Sequence, residues 1–141
     1  MPIDPIRISR RLGLDVVEAE LKGSTAGALI KEVGRNARIV LNARDHMNRR
    51  RFTCAHELGH YIRYSDDAEE YQRIAYRNEL SSHGTYPEEV YANEFAACLL
   101  MPELEVRRLW IEQAFEWEMA EFFGVSRDAM RFRLDGIGLD G

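Results

Sequence analysis

The chain has 141 residues, 45% hydrophobic and 30% charged, which suits one soluble domain with a buried core and excludes wholesale disorder. Its longest apolar run, Phe95 to Met101, is far short of the roughly 20 residues a spanning helix needs, so no membrane association is expected. The N-terminal MPIDPIRISRR has no apolar stretch that would serve as a secretory signal. Two cysteines, Cys54 and Cys98, are too few for a disulfide framework and point to reduced thiols in a cytoplasm. The net charge of −5 is uneven: residues 1–60 carry 11 Lys/Arg and 7 Asp/Glu, and residues 61–141 carry 8 and 17. An acidic total argues against broad, salt-dependent coating of DNA.

Asp4 followed by Pro5 marks a helix start, and Gly13 stops that helix after Leu12. Leu14–Leu21, Ala26–Val33 and Arg38–Leu41 read as strands separated by turns at Gly23-Ser24 and Gly34-Arg35-Asn36, which predicts a small, mainly antiparallel three-stranded sheet. From Asn48 to Tyr64 the periodicity is helical; Arg49, Arg50 and Arg51 at its start could form a local basic patch, although a solvated helix start is the simpler expectation. Ser65–Tyr86 is a long polar connection containing the acidic cluster Asp66, Asp67, Glu69 and Glu70 and an extended piece, Tyr71–Asn78. Pro87 opens a second helix that runs to Leu100. Glu103–Trp110, Glu112–Phe123 and a Ser126-capped segment to Leu134 follow as helices, and the Gly136–Gly141 tail is expected to fray. The fold class is α+β in a single domain of 1–141, with sheet and paired helices in 1–102 and a helical C-terminal segment in 103–141.

The segment that carries chemistry is His56-Glu57-Leu58-Gly59-His60. In a helix, residues four apart lie on one face, so two imidazoles can grip one Zn²⁺. Glu57 lies about 100° round the helix, which aims its carboxylate at a water beside the metal rather than at the metal. On the same wheel Thr53 and Tyr64 share the histidine side, while Ala55, Leu58 and Ile62 fall opposite. One face is therefore expected to pack on the core and the other to open on a polar cleft. The bland alternative is a pair of structural histidines.

A catalytic zinc needs a third protein ligand and an open position. The helix PEEVYANEFAACLLMP offers Glu88, Glu89, Glu94 and Cys98. Glu89 shares its face with Asn93 and is flanked by Ala92, Ala96 and Ala97, whose small side chains permit close helix approach. Glu94 and Cys98 point elsewhere. Glu89 is therefore the preferred ligand, with Glu94 second. Asn93, one turn on, could fix the tautomer of a ligand histidine.

The stretches RFTCAHELGHYI (Arg51–Ile62), RNELSSHG (Arg77–Gly84) and EEVYANEFAACLLMP (Glu88–Pro102) together resemble the ImmA/IrrE family of bacterial metallopeptidases, and the resemblance covers nearly the whole chain. It departs at Cys54, where the family usually has an aliphatic residue, and at Tyr64, where a histidine is frequent. The resemblance implies zinc ligands at His56, His60 and Glu89, a catalytic glutamate at Glu57, and a helix-turn-helix transcriptional repressor as the protein cut. Tyr64, Tyr86, Tyr91 and His83 are candidates for oxyanion or substrate contact. A second class of function is a toxin- or sensor-type module that grips a repressor or antitoxin without cutting it.

Met119–Leu134 itself reads as helix, Gly turn, Ser-capped helix, with Arg127, Arg131 and Arg133 making the second helix basic. Glu112, Glu116, Glu118 and Glu121 just before it would repel phosphates, which disfavours direct DNA binding. Cys54 is expected to be a small packed residue. Trp110, Phe115, Trp117, Phe122 and Phe123 are expected to form the core around the C-terminal helices. The acidic loop could attract a basic partner, although a solvated loop is the simpler expectation.

Overall fold

The computed structural model describes residues 2–64, 70–80 and 86–139. Helix α1 (Pro5–Arg11) starts as its sequence dictates: Asp4 accepts from the backbone N–H groups of Ile6 and Arg7, and Pro5 fills the first turn. Three strands follow, β1 (Asp15–Ala19), β2 (Thr25–Lys31) and β3 (Arg38–Asn42), and a fourth, β4 (Tyr71–Tyr76), comes much later. The sheet therefore has four strands rather than three, in the order β1-β3-β2-β4. The extended piece Tyr71–Asn78 divides into β4 and a 3₁₀ turn, Arg77–Leu80.

The sheet is mixed. β2 pairs antiparallel with β3 and β4, but β1 pairs parallel with β3, Val16 opposite Ile39. Three consecutive strands with short links suggest a meander, yet β3 inserts between β1 and β2. The β1–β2 link must then cross the end of β3, where its backbone polar groups need partners. The buried Asn42 supplies them: its Nδ2 donates to the carbonyls of Leu21 and Thr25, and its Oδ1 accepts from the backbone N–H of Leu21 and Arg44.

Helix α2 (Met47–Tyr64) lies across this sheet, with Cys54 and Leu58 packed against Leu29, Ile39 and Leu41. Its other side meets α3 (Pro87–Leu100) and the C-terminal helices α4 (Glu103–Ile111), α5 (Glu116–Phe123) and α6 (Arg127–Ile137), where Phe52 and Ala55 join Ala96, Leu100, Met119 and Phe123. Sandwiched this way, every residue of α2 from Phe52 to His60 is buried. The expected polar cleft along the histidine face is thus covered, and Ile62, expected in the core, is exposed.

The C-terminal segment departs from expectation in three places. Residues 112–115 are not helical: α4 ends at Ile111 with Glu112 as its cap, Gln113 takes a positive φ, and α5 restarts when Glu118 accepts from the N–H of Phe115. Gly136 and Ile137 belong to α6 instead of a frayed tail. Of the aromatic residues assigned to a core, Phe123 is buried and Trp110 packs partly against it, whereas Phe115, Trp117 and Phe122 are exposed. Among the arginines at the start of α2, Arg50 pairs with Glu18 and Arg51 donates to the carbonyls of Ile3, Phe123 and Gly124. Arg51 is thus a tie between α2, the N-terminus and the α5–α6 turn rather than a solvated charge. Burial lowers its pKa, and nearby Asp4 partly offsets this.

Gly124 closes α5 in the left-handed conformation at φ 67°, and a Cβ there would meet Arg51 Nη1. A Gly124→Ala protein should lose about 1–2 kcal/mol from the backbone penalty alone, or roughly 3–7 °C in thermal midpoint by calorimetry. An unchanged midpoint would show that this turn and its arginine tie do not constrain the fold.

Candidate metal centre

Gly59 sets the distance between α2 and α3. A Cβ at that position would lie 3.0 Å from the ring of Phe95, so the absent side chain lets α3 settle onto α2 beside the histidines. The buried Ala92, Ala96 and Ala97 do the same from the other helix. His56, Glu57, His60, Glu89 and Asn93 are all buried at this contact.

Their polar atoms converge. His56 Nε2 lies 3.2 Å from His60 Nε2 and 2.9 Å from Glu89 Oε2, while His60 Nε2 is 3.0 Å from Glu89 Oε1. Glu57 Oε1 stands 3.8 Å from His56 Nε2. His56, Glu57 and His60 together form a group that could hold a metal ion. On the other side of the His56 ring, Nδ1 is 2.8 Å from Asn93 Oδ1.

Tautomer chemistry tests whether a cation fits. An amide oxygen only accepts, so His56 Nδ1 carries the proton. In a neutral ring Nε2 is then a bare lone pair, yet it faces a carboxylate oxygen and a second imidazole nitrogen. Electron pairs from His56, His60 and Glu89 repel one another unless a proton or a metal cation lies among them. Bonds of 2.0–2.1 Å from tetrahedral zinc would place ligand atoms about 3.3–3.4 Å apart, close to the 2.9–3.2 Å separations found. The donor set and its spacing fit a small divalent cation with nitrogen and oxygen ligands.

The pKa shifts agree with a site built for neutral imidazole and ionised carboxylate. Burial lowers the pKa of His60, outweighing the hydrogen bond to Glu89 that would raise it. Burial works to raise that of Glu89, but hydrogen bonds from His56 and His60 hold it below the ordinary carboxylate range.

Arg73, which the sequence did not single out, also reaches the site: its Nη2 lies 3.3 Å from Glu89 Oε1 and 3.9 Å from Glu88 Oε2. It comes from β4, opposite the buried Leu29 of β2, and so shares the sheet face that carries α2. A charged residue in the middle of YQRIAY was the available signal, but only for a reader who had recognised a strand there.

The remaining candidates are placed elsewhere. Tyr86 is an exposed residue at the start of α3. Tyr91 packs beneath Arg63, whose guanidinium carbon is 4.7 Å from the ring centroid, and beside Phe95. His83 and the side chain of Tyr64 lie outside the described residues, as do Asp66, Asp67 and Glu69. Glu94 is exposed, as is Cys98, whose Sγ lies 3.5 Å from Arg133 Nη1. A cleft of about 490 Å³ lined by Arg49, Phe52, Asn93, Arg131 and Phe132 sits on the Nδ1 side of His56, away from the convergent atoms. Its size therefore does not make it the metal centre.

Cys54 is a packed thiol. Burial pushes its pKa up to about 12, with Ser9 Oγ 3.6 Å from Sγ as a weak counterweight. In the DNA-reader-like segment, Arg131 is held by Glu116, Asp135 and the carbonyl of Leu139, and Arg133 by the carbonyl of Met101.

A thiol reagent at pH 8 should titrate one cysteine per native chain, Cys98, and two after denaturation; two fast equivalents in the native protein would contradict the packing of Cys54. Acid should also weaken the metal-free fold. His60 and Glu89 are both held below their ordinary values of 6.5 and 4.5, so the unfolded chain binds their protons more readily. Their stabilisation is complete above pH 6.5 and falls as pH drops through the histidine window and then the carboxylate window. The urea midpoint of chelator-treated protein should be lower at pH 5 than at pH 7.5, and His60→Asn should flatten that slope; a midpoint that rises on acidification contradicts both shifts.

Comparison with known families finds a match. The family model described as the IrrE N-terminal-like domain, a peptidase family, aligns with residues 9–135. No curated protein matches the chain.

Proposed function

Since the chain belongs to the IrrE N-terminal-like peptidase family, we propose that it is a zinc-dependent endopeptidase that cuts a helix-turn-helix transcriptional repressor and so relieves repression. The observation that supports this most directly is the meeting of His56 Nε2, His60 Nε2 and Glu89 within about 3 Å of one another, with the Glu57 carboxylate alongside.

His56, His60 and Glu89 would hold the ion. Zn²⁺ bound there supplies Lewis acidity toward a water and the scissile carbonyl. The remaining work belongs to the chain. Asn93 keeps the proton of His56 on Nδ1 and leaves Nε2 free to donate its electron pair. Arg73 steadies the Glu89 carboxylate from the sheet side. Glu57 takes a proton from the attacking water as the new C–O bond forms, then passes it to the amine nitrogen as the C–N bond breaks. Close packing around the site excludes bulk water, which strengthens each of these charge interactions.

One observation favours a second reading. Glu57 and His60 are each only 1% exposed, and a site so covered suits a module that grips a cognate repressor or antitoxin without cutting it. The acidic C-terminal half of the chain would attract a DNA-binding protein under either reading.

The separating experiment is incubation with the neighbouring gene's product, taken as the candidate repressor, followed by mass spectrometry of fragments with and without chelator. Wild type should give discrete fragments that chelation abolishes. Glu57→Gln should still bind zinc and lose at least about 10²-fold in cleavage rate, as expected for loss of the proton-transfer group. Full activity in Glu57→Gln removes that residue from the mechanism. A stable complex with no fragments replaces hydrolysis with the binding reading.

A further inference from the structure

We propose that the face of α4 and α5 carrying Leu104, Ile111, Phe115, Trp117 and Phe122 docks a basic amphipathic helix of the protein this chain acts on. Calling that protein the substrate rests on the proposed function; the docking itself does not.

Single exposed apolar residues are ordinary, but a contiguous group of them is not. Phe115 and Trp117 are 66% and 53% exposed and stack on each other with ring centroids 6.5 Å apart. Phe122 lies two turns along from Phe115, and the Arg108 guanidinium covers part of its ring at 5.7 Å. Arg108 shares a stripe of α4 with Leu104 and Ile111, which are 84% and 78% exposed. The arginine thus links Phe122 of α5 to the apolar stripe of α4, while Phe115 and Trp117 form a stacked pair at the start of α5. Exposed, pre-stacked aromatic rings beside an arginine have the composition of a binding hot spot.

Charge selects the occupant. Residues 103–123 hold six glutamates and two arginines, a net charge of −4. Both arginines are already engaged, Arg107 with Glu103 and Arg108 with Glu105 and Glu112, and Glu116 is paired with Arg131 of α6, so the surface stays acidic with all three arginines counted. The side chain of Glu121, beside Phe122, has no hydrogen-bond or ion-pair partner among the described residues. Glutamates set among exposed apolar side chains repel nucleic acid and anionic membranes. They match a helix whose apolar stripe is flanked by lysine and arginine.

The test uses the full chain and a fluorescein-labelled 18-residue peptide with leucine at helical spacing and lysine or arginine elsewhere. A control peptide replaces every basic residue by glutamate. Fluorescence anisotropy should show the basic peptide binding at least tenfold more tightly than the acidic one, and more weakly as salt rises. Phe115→Ser with Trp117→Ser should weaken binding tenfold or more without changing the circular dichroism. Should that pair unfold, Leu104→Ser with Glu121→Lys takes its place, with the same loss expected. Equal binding of both peptides overturns the proposal, as does an unaffected folded variant. So does a wild-type dimer in sedimentation that the aromatic variant converts to monomer, which would assign the face to a second copy. None of these readouts needs metal or cleavage. A chain that binds the peptide but cuts nothing therefore counts against hydrolysis alone, and one that cuts its repressor but ignores the peptide counts against docking alone.

Discussion

The structure depends on how closely α3 approaches α2. Three electron-pair donors, two from one helix and one from the next, are held within about 3 Å of one another in a dry interior. Such a cluster is electrostatically costly by itself, because burial removes the water that would screen it. The surroundings offset the cost piecemeal. Gly59 and the alanines of α3 let the backbones close, Asn93 fixes one imidazole, and Arg73 partly balances the carboxylate. A divalent cation would complete the balance.

The architecture follows from covering α2 on both sides. The sheet supplies one apolar layer through Leu29, Ile39 and Leu41, and the C-terminal helices supply the other through Met119, Phe123 and Met130. Arg51 ties these helices to the N-terminal segment by three backbone carbonyls. The position of α5 and α6 is thereby coupled to the helix that carries the histidines. The same coupling occupies Arg131 and Arg133 with partners inside the chain, which diminishes the basic surface that the sequence alone suggests for DNA.

Much of this was legible in the residues. The i, i+4 spacing of His56 and His60 and the face shared by Glu89 and Asn93 follow from helical geometry, and the structure brings those four side chains together. Asp4, Ser126 and Gly124 announced helix boundaries through capping chemistry that is local and therefore readable. What was not legible depends on contacts distant in sequence. The parallel pairing of β1 with β3 goes with a loop crossing whose backbone groups Asn42 satisfies. The role of Arg73 required knowing that β4 lies against β2. Hydrophobicity alone placed Phe115, Trp117 and Phe122 in a core, but α4 breaks at Gln113 and turns them outward. The polar cleft expected along α2 failed for a related reason: a helix covered on two sides hides even its charged face.

The most direct test of the metal centre is X-ray absorption at the zinc edge on protein purified with zinc and dialysed free of excess. The account predicts one zinc per chain, with two imidazoles and oxygen ligands at about 2.0–2.2 Å and a coordination shell that changes when Glu89 becomes alanine. A chain that retains no zinc, or one whose zinc shows a sulfur scatterer near about 2.3 Å, would contradict it.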